Sequence, residues 1–387
     1  MIDGRDLGKY RELMGVCEEW AFLNHAATSP VTKPARDVMT TFLDDLCRSA
    51  TAHRQKWQRE IRDARKLAAD LLHSSPREIA FVKNTSEGVS IIANGLNLSP
   101  GDTVVSTDIE FPANTYSWMR LSGRGVTLKL VQNQDGRIPF EDLVEATDES
   151  TKVIALSSVE FSTGFRHDLQ KIGDFCRERG IFFFVDGIQS VGAMELDVKR
   201  CSISALSAGS HKWLLGPQGV GILFVDEEAM PDVEPTEVGW FTVENAEEYL
   251  DYRFVPKMDA GRFECGSFNL VGICGMAASM RLLLDVGIPT IENHVIQLTD
   301  QLCEGLEKKG YEIYSSRKQG EKSGIVLFSS PAHPADDLWR KPWIERSSPP
   351  FGMAACGSHR IFTIPRRRSR TSSRRFHERG LQSRISY

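Results

Sequence analysis

Short, uniformly apolar runs separated by helical segments place the strongest constraint on how this chain can fold. EIAFV (78–82), DTVVST (102–107), TLKLV (127–131), KVIALSSV (152–159), IFFFVD (181–186) and GILFVD (221–226) read as strands. Most are too uniformly apolar for a sheet with one wet face. Their alternation with helices therefore implies a sheet covered on both sides. QKWQREIRDARKLAADLL (55–72) spaces Trp57, Ile61, Ala64, Ala68 and Leu71 at helical intervals. GVSIIANGL (88–96) and DLQKIGDFCRERG (168–180) also read as helices, the second closed by a C-cap glycine, Gly180. After residue 269, LVGICGMAASMRLLLDVG and ENHVIQLTDQLCEGLEKKGYEI read as helices leading into a strand, GIVLFS (324–329). A smaller domain is placed there.

Composition narrows the class. With 387 residues, the chain can form one large domain and a smaller one, and 41% hydrophobic with 26% charged content is ordinary for a globular protein. No apolar run reaches the roughly 20 residues needed to span a bilayer, and the N-terminus lacks the apolar stretch of a secretory signal. A cytoplasmic protein without membrane contact is expected. Eight Cys without CxxC or Cys/His ligand spacing fit reduced thiols better than disulfides or a metal site.

Three segments place polar residues at strand ends, where open α/β sheets bind ligands. In FFFVDGIQSVG, Asp186 follows four apolar residues, so its carboxylate needs a cationic or hydrogen-bonded partner. A protonated pyridine nitrogen would supply one; capping of the next helix is the simpler alternative. In LSAGSHKWLLGPQGVG, Lys212 stands between small residues and an apolar run, with Ser210 and His211 beside it. An amine becomes a competent Schiff-base nucleophile when desolvation lowers its pKa, although a lone loop lysine is more often solvated. In FVKNTSEGVSIIA, Asn84, Thr85 and Ser86 open a helix, and free N–H groups with hydroxyls there suit a phosphate. A plain N-cap would need one of these residues.

Together these segments resemble the class V aminotransferases of pyridoxal 5′-phosphate (PLP) fold type I, the group that includes cysteine desulfurases and isopenicillin N epimerase-like proteins. The resemblance runs through FLNHAATSP (22–30), NTSEG (84–88), EFPAN (110–114), SSVEFSTGFRHDL (157–169), VDGIQSVGA (185–193), SAGSHKW (207–213) and FECGSFN (263–269). It implies an α/β fold, with a mostly parallel seven-stranded sheet between helices in a large domain (25–260). It further implies an N-terminal segment (1–24) packing with a smaller α+β domain (261–341). Lys212 is implied to form the Schiff base with PLP and to shuttle the Cα proton, while Asp186 keeps the pyridine nitrogen protonated. Gln189 is implied to bond the ring hydroxyl. Thr85, Ser86, Ser210 and His211 hold the phosphate, and Phe111 stacks on the ring without acid/base function where desulfurases commonly carry His. Ser158 lies where desulfurases carry Asn near the ring, and Asn24 and His25 fall on the substrate side. Ser267 matches the position that reaches the partner subunit's phosphate, which implies a homodimer.

The tail departs from the family. From Pro342 onward the chain has ten Arg, no Lys and two acids, a local balance of +8 that leaves −13 on residues 1–341. The family's C-terminal R-x-S-P-H-x-Y-N motif, whose Arg grips the substrate carboxylate, is missing. An Arg-rich nucleic-acid arm and a disordered extension are two readings of residues 342–387. The third is a frameshift. Taking the third base of each codon with the first two of the next, the run from Gly357 to Ile364 allows Ile-Ser-Pro-His-Phe-Tyr-Asn, preceded by Arg from Cys356-Gly357. The third reading is favoured: the tail is out of frame, the small domain is incomplete, and turnover by this chain is expected to be weak or absent. The basic tail then implies no nucleic-acid partner. Among reactions, transamination of a small amino acid is preferred over cysteine desulfuration, selenocysteine cleavage or epimerisation. A non-catalytic PLP-fold protein with a basic partner-binding tail is the alternative from another class.

Overall fold

The computed structural model describes residues 8–330; residues 1–7 and 331–387, including the basic tail and the expectations attached to it, lie outside the described residues. The main sheet has seven strands: β1 (Ile79–Val82), β2 (Thr103–Thr107), β3 (Thr127–Val131), β4 (Thr151–Ser157), β5 (Phe182–Asp186), β6 (Ala205–Gly209) and β7 (Gly221–Val225). Their spatial order is β1-β7-β6-β5-β4-β2-β3, parallel throughout except that β7 runs antiparallel to both β1 and β6. The helices are α1 (Gly8–Arg11), α2 (Lys33–Ser49), α3 (Arg54–Leu72), α4 (Thr85–Gly95), α5 (Pro112–Met119), α6 (Phe140–Ala146), α7 (Leu169–Arg179), α8 (Leu270–Val286) and α9 (Ile288–Lys308).

The uniform apolarity of the strands has a direct cause. Phe183 and Val185 of β5 enter one core, while Phe182 and Phe184 enter the other. β4 divides likewise, Ile154 and Leu156 against Val153 and Ala155. Successive side chains of a strand point to opposite faces, so two covered faces require apolar residues at every position. Each fully buried Phe contributes about 1.5–3 kcal/mol. At the sheet edge β3 is mostly exposed.

Six strands coincide with the apolar runs; β6, with the sequence ALSAG, has no such signature. Its small residues answer to α4. A Cβ added at Gly88 would stand 2.2 Å from Ser207 Oγ, so the helix axis comes down onto this strand. Gly180 closes α7 at φ 62°, as expected.

Helix α8 falls in the segment that the sequence assigns to a smaller domain, yet Ile273, Met276, Ala277, Met280 and Leu283 enter the same core as the sheet. Its apolar residues cover the α2 and α3 side as well as the strands, and Ser279 Oγ donates to Leu215 O at 2.9 Å. Further along, Cys303 of α9 packs with Val326, Phe328 and Leu23, beside a two-stranded ladder of β8 (Glu312–Ile313) and β9 (Phe328–Ser329). The run GIVLFS is thus strand only at its end, because Ile325 turns into a cluster with Trp213 and Ala26. No single helix among the described residues is long and apolar enough to cross a membrane.

Candidate active site

The carboxyl ends of β4, β5 and β6 converge with the start of α4. Asp186, the last residue of β5, is 1% exposed and accepts the Ile188 N–H at Oδ1, 2.9 Å. Burial pushes its carboxyl up to about 6, opposed by that bond and by the charge of Lys212. Lys212 lies three residues beyond β6 and is itself buried; desolvation lowers its pKa, with Asp186 opposing. A tight turn presents it: Leu215 N–H returns to Lys212 O and Gly216 N–H to Ser210 O, with Leu215 at φ 57°. Gly192, at φ 98°, lets the 185–193 segment lie against this turn, since a Cβ there would meet Trp213 O at 2.5 Å. The ammonium stands 5.6 Å from the Phe111 ring centroid, and Phe161 meets that ring edge-on at 5.2 Å.

The start of α4 forms the second wall. Asn84 caps the helix, its Oδ1 accepting Glu87 N–H at 2.9 Å, so the plain cap accounts for Asn84 alone. Thr85 is buried, and its Oγ1 accepts the Gly209 N–H at 2.9 Å, tying α4 to the strand that leads to Lys212. Ser86 is exposed. Ser210 is fully buried, and its Oγ has no hydrogen-bond partner. His211 is half-buried, its pKa lowered by desolvation and then by Lys212. A desolvated amine, a buried carboxylate, an orphaned hydroxyl and a helix N-terminus with free N–H groups fit an anionic cofactor with a basic ring nitrogen.

The remaining predicted residues divide. Ser158 donates its N–H (2.9 Å) and its hydroxyl (3.2 Å) to Asp186 O, and its Oγ lies 2.6 Å from Ser190 Oγ. Gln189 bridges two segments, Nε2 donating to Ala26 O at 3.1 Å and Oε1 accepting from Trp213 Nε1 at 2.9 Å. One amide hydrogen is left to reach a ring oxygen. His25 stacks on Trp213 at 5.5 Å and is buried with Nδ1 unpartnered; burial lowers its pKa to about 4. Asn24 and Ser267 are exposed, and neither makes a side-chain hydrogen bond to the Lys212 cluster.

Three buried titratable residues escaped the sequence reading. Glu110 accepts both the N–H and, at 2.7 Å, the hydroxyl of Ser157. Glu160 Oε1 accepts from Thr107 Oγ1 at 3.1 Å and lies 3.0 Å from His167 Nε2. Burial raises Glu160 to about 8 and lowers His167 to about 3. Although the two are within ion-pair distance, burial disfavours the charged form of both. Glu110 is raised as well, by burial and then by Glu160. Acids inside the runs DIEF and SSVEF were the signal available.

A family model described as Aminotransferase class-V matches residues 21–340. A Pyrococcus abyssi protein named "Probable cysteine desulfurase" is 32% identical over 84% of this chain and 82% of its own length. The "Uncharacterized aminotransferase YcbU" of Bacillus subtilis is 26% identical over 82% of this chain and 84% of its own. Among solved structures, the apo cysteine desulfurase of Thermococcus onnurineus superposes with a TM-score of 0.79 at 28% identity, covering 87% of this chain and 86% of that one. A C-DES structure with glycine linked to its PLP cofactor has the same fold, with a TM-score of 0.76 at 22% identity over 83% of this chain and 86% of its own. The expected α/β architecture with its mostly parallel seven-stranded sheet is the one found.

Proposed function

The chain belongs to the class V aminotransferase family, and we propose that it is a PLP-dependent enzyme acting on a small amino acid through Lys212, with transamination as its reaction. The observation that carries this reading is the gathering of a buried amine, a buried carboxylate and the orphaned Ser210 hydroxyl at the carboxyl ends of adjacent parallel strands. Bound PLP supplies an aldehyde carbon for amines and an electron sink for the bond broken at Cα.

The protein's own groups do the rest. Desolvation lowers the pKa of Lys212 Nζ, which favours the amine form a Schiff base requires, and the same nitrogen would hold and return the Cα proton. Asp186 holds the proton of the ring nitrogen by its negative charge. Thr85, Ser86, Ser210 and His211 hold the phosphate, and Gln189 reaches the ring hydroxyl. Phe111 would stack on the ring, with Ser158 near it, while Asn24 and His25 would line the substrate side. Ser267 completes the phosphate site of a second copy, so the enzyme is a homodimer. The exposed apolar residues Trp240, Tyr249, Leu250, Tyr252, Phe254 and Met258 support that assembly.

Desulfuration of cysteine is the second reading, favoured by the names of the relatives. Phe111 weighs against it, because no acid or base stands at that position. We further propose that residues from about 342 are out of frame, so that the Arg for the substrate carboxylate is lost and turnover is low. Resequencing the locus tests this, and an in-frame gene encoding an active enzyme overturns it.

The central test is spectroscopic. Incubation with PLP should give a visible absorbance band that Lys212→Ala abolishes. A colourless wild-type protein would sink the enzyme reading in favour of a non-catalytic fold. Amino acids that shift the band of a chain with its reading frame restored, with cysteine among them and sulfide release measured, then identify the substrate.

A further inference from the structure

Behind Asp186 lie two acids and an imidazole that the reaction described above does not use. Glu110 follows β2, Glu160 follows β4 and Asp186 ends β5, and each is under a tenth exposed. In the ladder Ser157 is the direct partner of Asp186, and Glu110 takes both polar groups of that serine. Glu160 is held from two other directions, by Thr107 at the end of β2 and by His167 from the loop before α7. Its second oxygen, Oε2, is buried without a partner. The charged and titratable groups that act on this acid are Asp186 from β5, Asp108 and Glu110 from beyond β2, and His167. The cation that faces Asp186 is Lys212.

Three carboxylates at adjoining strand ends cannot all ionise against one ammonium in a medium that desolvates each of them. Lys212 and the ring nitrogen both require the charge to be on Asp186. Glu160 is the acid whose hydrogen bonds leave one oxygen bare, as an unsolvated carboxylate would not tolerate and an acid O–H can occupy at lower cost.

We propose that Glu160 is a positioning residue for the cofactor's ring-nitrogen partner: bonded to Thr107 and His167, it stays a neutral acid, so that Asp186 carries the negative charge behind the ring. This rests on the reading that the site holds PLP. Ionisation of Glu160 adds a second negative charge near Asp186 and strengthens its hold on the ring proton, whereas Glu160→Gln is neutral throughout and nearly isosteric.

The test titrates the visible spectrum of the PLP-loaded full chain. Wild type should show a spectral step near 8 that E160Q, still coloured, lacks; superimposable titrations overturn the proposal. A second arm needs no cofactor. Infrared spectra of protein carrying isotope-labelled glutamate should show a protonated carboxylic acid at neutral pH that survives Glu110→Gln and loses intensity in E160Q. Absence of that band from wild type or from E110Q overturns the inference even where E160Q does not fold. A colourless wild type instead removes the PLP reading, and the infrared arm then decides the charge state alone.

Discussion

Replacing Glu264 with Ala should unfold this protein more readily than any comparable surface change, and the structure says by how much. Glu264 is 4% exposed and accepts Arg65 Nη2 at 2.8 and 3.0 Å and the Phe81 N–H at 2.9 Å. It thereby joins α3 and β1 to the segment that carries Ser267. The Arg65 guanidinium also lies 4.8 Å from the centroid of the Phe81 ring, so it cannot swing freely into water. E264A leaves a backbone donor unpaired and takes the carboxylate from a guanidinium that keeps only its bond to the Ile79 carbonyl. Breaking a buried pair from one side costs about 3–5 kcal/mol, a figure that already contains most of the lost Phe81 bond. Replacing both partners with apolar groups, Arg65→Met with Glu264→Leu, should stay within about 1 kcal/mol of wild type apart from the Phe81 donor, which adds about 1–3 kcal/mol. Urea unfolding of the two single variants and the double variant at neutral pH measures these terms as a cycle. An E264A loss below about 1 kcal/mol, or a double variant as unstable as the two singles added, would refute the reasoning.

Two further expectations concern the site. Asp186 has a folded pKa of about 6 against 3.8 for the free group, so its contribution to stability is present below 3.8 and lost as pH rises through 6. Asp186→Asn should therefore make the cofactor-free protein more stable than wild type above that window, with PLP affinity reduced; thermal midpoints that do not diverge with pH would contradict it. Gly192→Ala must place a side chain at φ 98° and 2.5 Å from Trp213 O. A loss of about 1–3 kcal/mol is expected, with weaker PLP binding in a fluorescence titration, and an unchanged affinity would show that the turn does not set the position of Lys212.

How far the molecule was legible depended on where each signal lay. Strands β4 and β5 announce themselves because both faces bury large apolar residues. β6 stays silent because α4 presses on it through Gly88, and a strand built to admit a helix must be made of Ala, Ser and Gly. Taken alone, Lys212 therefore resembles a solvated loop lysine, and only its neighbours mark it as a Schiff-base candidate. Glu110 and Glu160 give only the faint signal of an acid inside an apolar run, because their partners Ser157 and Thr107 are 47 and 53 residues away, and no local pattern encodes a bond of that span. Helix α8 shows the reverse limit. Its apolarity was plain, but nothing in the sequence said which core would receive it.

The bond from the Gly209 N–H to Thr85 Oγ1 has a consequence for cofactor choice. Thr85, which we propose holds the phosphate, is fastened to the strand that ends three residues before Lys212, the proposed Schiff-base lysine, so the span between the two is set by that strand and one hydrogen bond. The site works as a caliper. An analogue with an extra methylene between ring and phosphate can satisfy the helix terminus or the lysine, but not both, whereas one altered at a ring position away from that axis still fits the jaws.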